Sequence, residues 1–142
     1  LLDFNGLAAF WDSGVGERIR AHKDAIRREL RFTARLPADE IAELAGETAG
    51  QELANEFVII QGVVDLAVLL PKEIWLVDFK TDAVKAHELG DKARFYEPQL
   101  KVYARAMSEI YRRPVSECWL YFLSAGEAVA IELVRNRVST AV

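Results

Sequence analysis

The sequence predicts a mixed α/β domain, a central sheet flanked by helices in the order α-β-β-β-α-β-β. Three observations predict it. Residues 57–70 and 74–80 are apolar, largely β-branched runs joined by a short polar turn. Residues 98–111 repeat apolar positions at helical spacing. Shorter segments of strand character stand at 26–36, 117–123 and 128–134. With 142 residues, 51% of them hydrophobic, the chain fills one domain with a real core, 1–142, and is too apolar for disorder.

The elements follow in order. Residues 7–25 carry Leu7, Ala8, Phe10, Trp11, Val15 and Ile19, and Ser13 is a natural N-cap for a helix running through Lys23. From 26 to 36 the pattern alternates. Ile26, Leu30, Phe32 and Ala34 fall on one side and Arg27, Glu29, Arg31 and Arg35 on the other, as in a half-buried strand that Pro37 stops. Residues 38–52 are acidic, small and glycine-bounded, which fits a short helix within a surface excursion. The run 57–70 is long for one straight strand, and Gly62 is where it could bend. Ile74–Lys80 follows as its hairpin partner, with apolar residues on both faces, so the sheet should be covered on both sides.

Residues 83–96 are mixed and read as irregular or weakly helical. Pro98 then opens a strong helix with Leu100, Tyr103, Ala104, Met107, Ile110 and Tyr111 on one stripe, closed by Pro114. Two closing strands, Glu117–Leu123 and Ala128–Val134, flank Ser124-Ala125-Gly126-Glu127.

Composition removes several function classes. No apolar run reaches the ~18 residues of a membrane span, so no membrane partner is expected. Nothing resembles a secretory leader, and the expected location is cytoplasmic. One cysteine, Cys118, cannot form an internal disulfide or a four-cysteine iron–sulfur or zinc site, so no iron–sulfur cluster is expected. The net charge of −4 argues against indiscriminate nucleic-acid binding. Yet residues 18–35 hold seven Lys/Arg against Asp24 and Glu29, a stretch that could meet a phosphate backbone or simply be a solvated face.

The chemistry gathers at Val77-Asp78-Phe79-Lys80-Thr81-Asp82. A turn centred between Pro71 and Lys72 makes Leu69 face Ile74, Ala67 face Leu76 and Asp65 face Asp78. Directly opposed residues share a face, so the two carboxylates would have Cβ atoms roughly 5 Å apart, with Lys80 on the same side. Val64, Leu66 and Val68 would lie on the other face against Phe79, Val77 and Trp75. Opposed carboxylates repel, so if the site is partly buried one of them should hold a proton unless a positive charge compensates. Lys80 supplies one; a divalent cation such as magnesium would supply more. Thr81 and Asp82 read as the turn at the strand's end.

In order, G-V-V-D (62–65), V-D-F-K-T-D (77–82) and Q-L-K-V-Y (99–103) resemble the PD-(D/E)XK nuclease superfamily. Within it they resemble the nuclease domain of AddA- and RecB-type helicase–nucleases. F-W-D-S-G-V-G-E-R-I (10–19), R-E-L-R-F (28–32), A-R-A-M (104–107) and L-Y-F-L-S-A-G-E (120–127) extend the likeness over nearly the whole chain.

The resemblance implies a restriction-endonuclease-like fold and metal-dependent DNA exonuclease chemistry, serving double-strand-break end processing and recombinational repair. Asp65 and Asp78, with the backbone carbonyl of Phe79, would bind Mg2+ or Mn2+. Lys80 would orient or activate the attacking water and offset charge on the phosphate. Gln99 and Tyr103 would border the site and contact DNA or support the lysine, and Glu29 would have a supporting role. The partners implied are DNA and a second helicase–nuclease subunit. The alternative is a catalytically silent module of this fold that binds DNA or docks a partner. One departure stands out. The family's metal-ligating histidine lies in an upstream G-x-x-x-H-x-x-L helix, whereas this chain has only His22 and His87, neither in that context. The expectation is a fragment of a longer protein, beginning downstream of that histidine, whose site binds metal weakly and cuts DNA poorly alone.

Overall fold

The computed structural model describes residues 4–47 and 50–133. Five strands form one sheet in the spatial order β1-β2-β3-β4-β5: Ile26–Pro37, Phe57–Leu69, Ile74–Lys80, Val115–Phe122 and Glu127–Ala130. Neighbours pair antiparallel except β3 and β4, which run parallel. That pair needs a long return connection. Helix α4 (Leu89–Tyr111) supplies it.

Both faces of the sheet are covered, as the doubly apolar β3 requires. On one face, Ile74 and Leu76 of β3 and Cys118, Leu120 and Phe122 of β4 pack with Leu100, Ala104 and Met107 of α4. On the other, Leu66, Val68, Trp75, Val77, Trp119 and Tyr121 meet Phe10 and Ile19. Those two come from helices α1 (Phe4–Asp12) and α2 (Gly14–Arg20). Ser13 separates α1 from α2 and caps the second, its Oγ accepting from Gly16 N at 3.2 Å. The N-terminal helical region is thus two helices with an elbow. A Cβ on Gly16 would lie 2.0 Å from the Phe10 carbonyl oxygen, so only glycine permits the fold-back. A short helix α3 (Ala38–Leu44) occupies the acidic excursion, as expected. No helix among the described residues is long and apolar enough to cross a membrane.

Three features differ from the sequence reading. First, α4 begins at Leu89 rather than at Pro98, which lies inside it. Pro98 forfeits one intrahelical hydrogen bond. The apolar stripe nevertheless continues upstream through Tyr96, Ala93 and Leu89 into the same core, and that burial keeps the helix intact. Second, Val64 packs on the α4 face, not with Leu66 and Val68 on the α1/α2 face. The facing changes where β1 and β2 lie opposite each other at Glu29 and Asp65, the one position within their register that forms no pair. Glu29 there adopts φ 48°, a conformation a glutamate rarely takes. Third, Gly62 marks a close approach of side chains to the strand. Its bare Cα makes room for the Tyr103 and Phe32 rings, which a Cβ would meet at 2.7 and 2.8 Å. The last strand ends at Ala130; Val134 of the expected strand lies outside the described residues.

Candidate functional site

The β2–β3 register is the one the turn dictates, with Leu69 opposite Ile74, Ala67 opposite Leu76 and Leu66 opposite Val77. The ladder stops there. The change of facing at Asp65 replaces the expected Asp65–Asp78 cross-strand pair. The Asp65 carboxylate instead reaches across β3, where its Oδ2 accepts a hydrogen bond from Phe79 N at 2.8 Å. Asp78 and Lys80 share the parity of Ile74 and Leu76 and so lie on the α4 side, while Phe79 packs on the other face against Phe10. Asp65, Asp78 and Lys80 thus converge on one side of one strand end.

Electrostatics at this point are unbalanced. Asp78 and Lys80 are mostly buried, with side chains 16% and 19% exposed and Lys80 Nζ 2.9 Å from Asp78 Oδ2. That oxygen is buried, and no donor among the described residues meets it at hydrogen-bonding angles; the ammonium is near but poorly aligned. Burial pushes the Asp65 carboxyl up to about 6. The neighbouring Asp78 charge raises it further, while the Phe79 N–H and Lys80 pull the other way.

The end of β3 is also tied to α4 and to the β4–β5 turn. Lys80 Nζ stands 4.0 Å from the centre of the Tyr96 ring. The Tyr96 hydroxyl donates to Asp82 at 2.9 Å (Oδ2) and 3.1 Å (Oδ1). Lys92 Nζ lies 3.5 Å from the same carboxylate, and Ser124 Oγ donates to the Asp82 carbonyl at 2.9 Å. Partial desolvation works against the Asp82 charge, but the Tyr96 hydroxyl, its own backbone and Lys92 outweigh it, and the carboxyl pKa is lowered. The hydrogen bond to Asp82 correspondingly raises the Tyr96 phenol. Asp82 is therefore more than the turn residue the sequence suggested. Tyr96 escaped sequence reasoning because its stretch lacked an obvious helix. The signal that could have found it is its spacing of four from Leu100 and seven from Tyr103.

The remaining candidates are more dispersed. Gln99 is exposed, its Nε2 3.5 Å from the Tyr103 hydroxyl, the outer limit of a hydrogen bond. The Tyr103 ring stands edge-on to Phe32 at 5.0 Å, beneath Gly62. Among the described residues no hydrogen bond joins Gln99, Tyr103 or exposed Glu29 to Asp65, Asp78 or Lys80. His22 stands edge-on to Trp75 on the α1/α2 side, and His87 is exposed in a 3-10 turn, Ala86–Glu88.

Comparison with known proteins gives this geometry its context. The family profile of the PD-(D/E)XK nuclease superfamily matches residues 5–141. The chain belongs to that superfamily. Its mixed five-stranded sheet with helices on both faces agrees with the superfamily's fold. It is 33% identical over 138 residues, 92% of its length, to one subunit of the ATP-dependent helicase/nuclease of Geobacillus thermodenitrificans. Proteins of the same description from Listeria innocua (33% over 138 residues, 93% of this chain) and Carboxydothermus hydrogenoformans (34% over 131 residues, 92%) are similarly close. The chain spans 11% of the length of each of these three relatives. It is thus a nuclease-superfamily domain homologous to a part of helicase/nuclease subunits.

Nucleases of this superfamily generally use divalent metal ions, and the donor chemistry here fits one. Two carboxylates converge: Asp78, whose buried Oδ2 faces only the poorly aligned Lys80 ammonium among the described residues, and Asp65, whose charge burial disfavours. Among the described residues, no third His, Cys, Asp or Glu joins them.

Proposed function

We propose that this domain hydrolyses DNA phosphodiester bonds with the help of Mg2+, Mn2+ serving as a substitute. It acts as the exonuclease part of a cytoplasmic helicase–nuclease that processes double-strand-break ends for recombinational repair. The observation that carries the reading is the convergence of Asp65, Asp78 and Lys80 at one strand end, with the buried Asp78 Oδ2 paired to the Lys80 ammonium at 2.9 Å, in a nuclease-superfamily chain. Asp65, Asp78 and the Phe79 carbonyl hold the ion. In support, Phe79 N–H points toward Asp65, while the Lys80 carbonyl is taken by Leu123 N on the β4 side. Alternate residues of a strand direct their backbone groups to opposite neighbours, so the Phe79 carbonyl is turned toward β2 as well. When bound, a divalent cation supplies Lewis acidity to a phosphate oxygen and to attacking water. Lys80 orients that water and offsets charge developing on the phosphate, as a compact ammonium does. Gln99, Tyr103 and Glu29 flank the DNA path. Each relative is described as one subunit of its enzyme, which supports a further helicase–nuclease chain as partner.

With two carboxylates and no third acidic or imidazole ligand among the described residues, the 142 residues alone hold the ion weakly. A histidine elsewhere in the longer protein completes the site. The test uses that longer protein. Asp78→Ala or Lys80→Ala is expected to lower Mg2+-dependent DNA degradation by at least about 10²-fold with ATP hydrolysis unchanged. Cleavage at the parental rate by both variants would remove the assignment and favour a silent DNA-binding module. Rapid Mg2+-dependent cleavage by the 142-residue chain alone would overturn the need for an outside ligand.

A further inference from the structure

We propose that Tyr96 and Asp82 form a positioning clamp for Lys80, extending the working site from the strand end onto α4. The inference rests on the reading of Lys80 given above. A lysine ammonium rides on a flexible four-carbon stem, and fixing it at one point requires more than one contact. Asp78 Oδ2 provides a contact at 2.9 Å. That same oxygen is the one offered to a cation, so Asp78 cannot alone fix Lys80 when the site is loaded. The Tyr96 face, 4.0 Å from Nζ, is a second seat that carries no formal charge and leaves the ammonium its full charge.

The seat is held through Asp82, which is itself fixed from two further sides. The phenol donates to both oxygens of Asp82, Lys92 from the first turn of α4 approaches that carboxylate at 3.5 Å, and Ser124 after β4 fixes the Asp82 backbone. The ring also acts as a spacer. It joins Asp82 to the lysine while standing between the carboxylate and the ammonium, so Lys80 gains a fixed neighbour without gaining another ion pair. A simple strap from strand to helix would use the hydroxyl, but would have no need of the ring face over Nζ.

The test measures kcat and KM for DNA with the longer helicase–nuclease at saturating Mg2+. Tyr96→Leu, which removes the face, is expected to lower kcat about tenfold with KM within about twofold. Tyr96→Phe keeps the face and is expected to recover to within about threefold of the parent. Asp82→Ala should be no less impaired than Tyr96→Phe, since it also removes the Lys92 contact, and the double variant Asp82→Ala/Tyr96→Phe should be no worse than Asp82→Ala, because both changes remove the Tyr96–Asp82 hydrogen bond. A parental kcat for Tyr96→Leu, a loss confined to KM, or a Tyr96→Phe as impaired as Tyr96→Leu would each overturn the clamp. Should Tyr96→Leu fail to fold by circular dichroism, the Asp82→Ala/Tyr96→Phe comparison decides, additive losses counting against it. Lys80→Ala separates the two layers. If it cleaves at the parental rate, the nuclease assignment falls; if it is inactive while Tyr96→Leu is parental, only the clamp does.

Discussion

Asp65 shows what a half-buried carboxylate beside a second one costs the fold. Its pKa, raised to about 6 by burial and the Asp78 charge, means that the folded state holds a proton more tightly than the unfolded chain does. Folding stability from this group is therefore greatest at low pH and declines as pH rises from about 4 through 6, by roughly 1.4 kcal/mol per unit at most. Asp65→Asn retains a carbonyl to accept from Phe79 N and removes the charge. It is expected to stabilise the chain by about 1–2 kcal/mol at pH 7, with the advantage vanishing near pH 4. Urea unfolding of both proteins across that range checks it, and equal stability at pH 7 would count against the assigned environment. A residue that gives up stability in this way fits the proposed site.

At the scale of elements, the β2–β3 hairpin was legible because the Pro71-Lys72 turn fixes its register and the period of two then assigns faces. The reversal opposite Glu29 is not legible: a glutamate in left-handed backbone leaves no trace in the residue pattern, and the period of two alone puts Val64 on the wrong face. The first half of α4 was obscured differently. Pro98 looks like a helix start, and Asp91, Lys92 and Arg94 dilute the stripe upstream of it. With that half-helix unseen, Tyr96 could not be brought to Asp82 fourteen residues earlier. The β2–α4 contact itself turns on Gly62. Gly62→Ala would press a methyl against Tyr103 and Phe32, whose ring atoms must shift. The expected cost is about 1–3 kcal/mol, or a fall in Tm of several degrees. An unchanged Tm would mean that the rings yield freely.

Across the whole molecule the basic stretch is smaller in effect than its composition suggests. Arg18 is committed to Glu117 through two hydrogen bonds of 3.1 and 2.7 Å and lies over Trp75 and Trp119. Arg28 lies over Trp11, and Arg27 is bonded to backbone carbonyls. Arg31 and Arg35 are exposed along β1, alternating with buried Phe32, Ala34 and Leu36, and Arg35 lies over the Phe57 ring at 4.0 Å. They are an exposed basic pair at the β1 edge of the sheet, on the face away from Lys80. Arg31→Ala with Arg35→Ala is expected to weaken DNA binding and to flatten the slope of log affinity against log salt by about 0.7–0.9 per lost phosphate contact. Fluorescence anisotropy over a salt series measures it, and an unaltered slope would move the DNA path elsewhere.

The division of the core between the two faces of the sheet has an optical consequence. All three tryptophans pack on the α1/α2 face: Trp75 and Trp119 within its core, and Trp11 against it from α1. Asp78, Lys80 and Tyr96 lie on the opposite, α4 face. Intrinsic tryptophan emission therefore reports first on whether the two N-terminal helices are docked, because the indoles pack there and not beside Asp78 and Lys80. A spectroscopic titration of the site needs a reporter placed on α4, and tryptophan emission serves alongside it as an internal gauge of whether the domain has stayed folded.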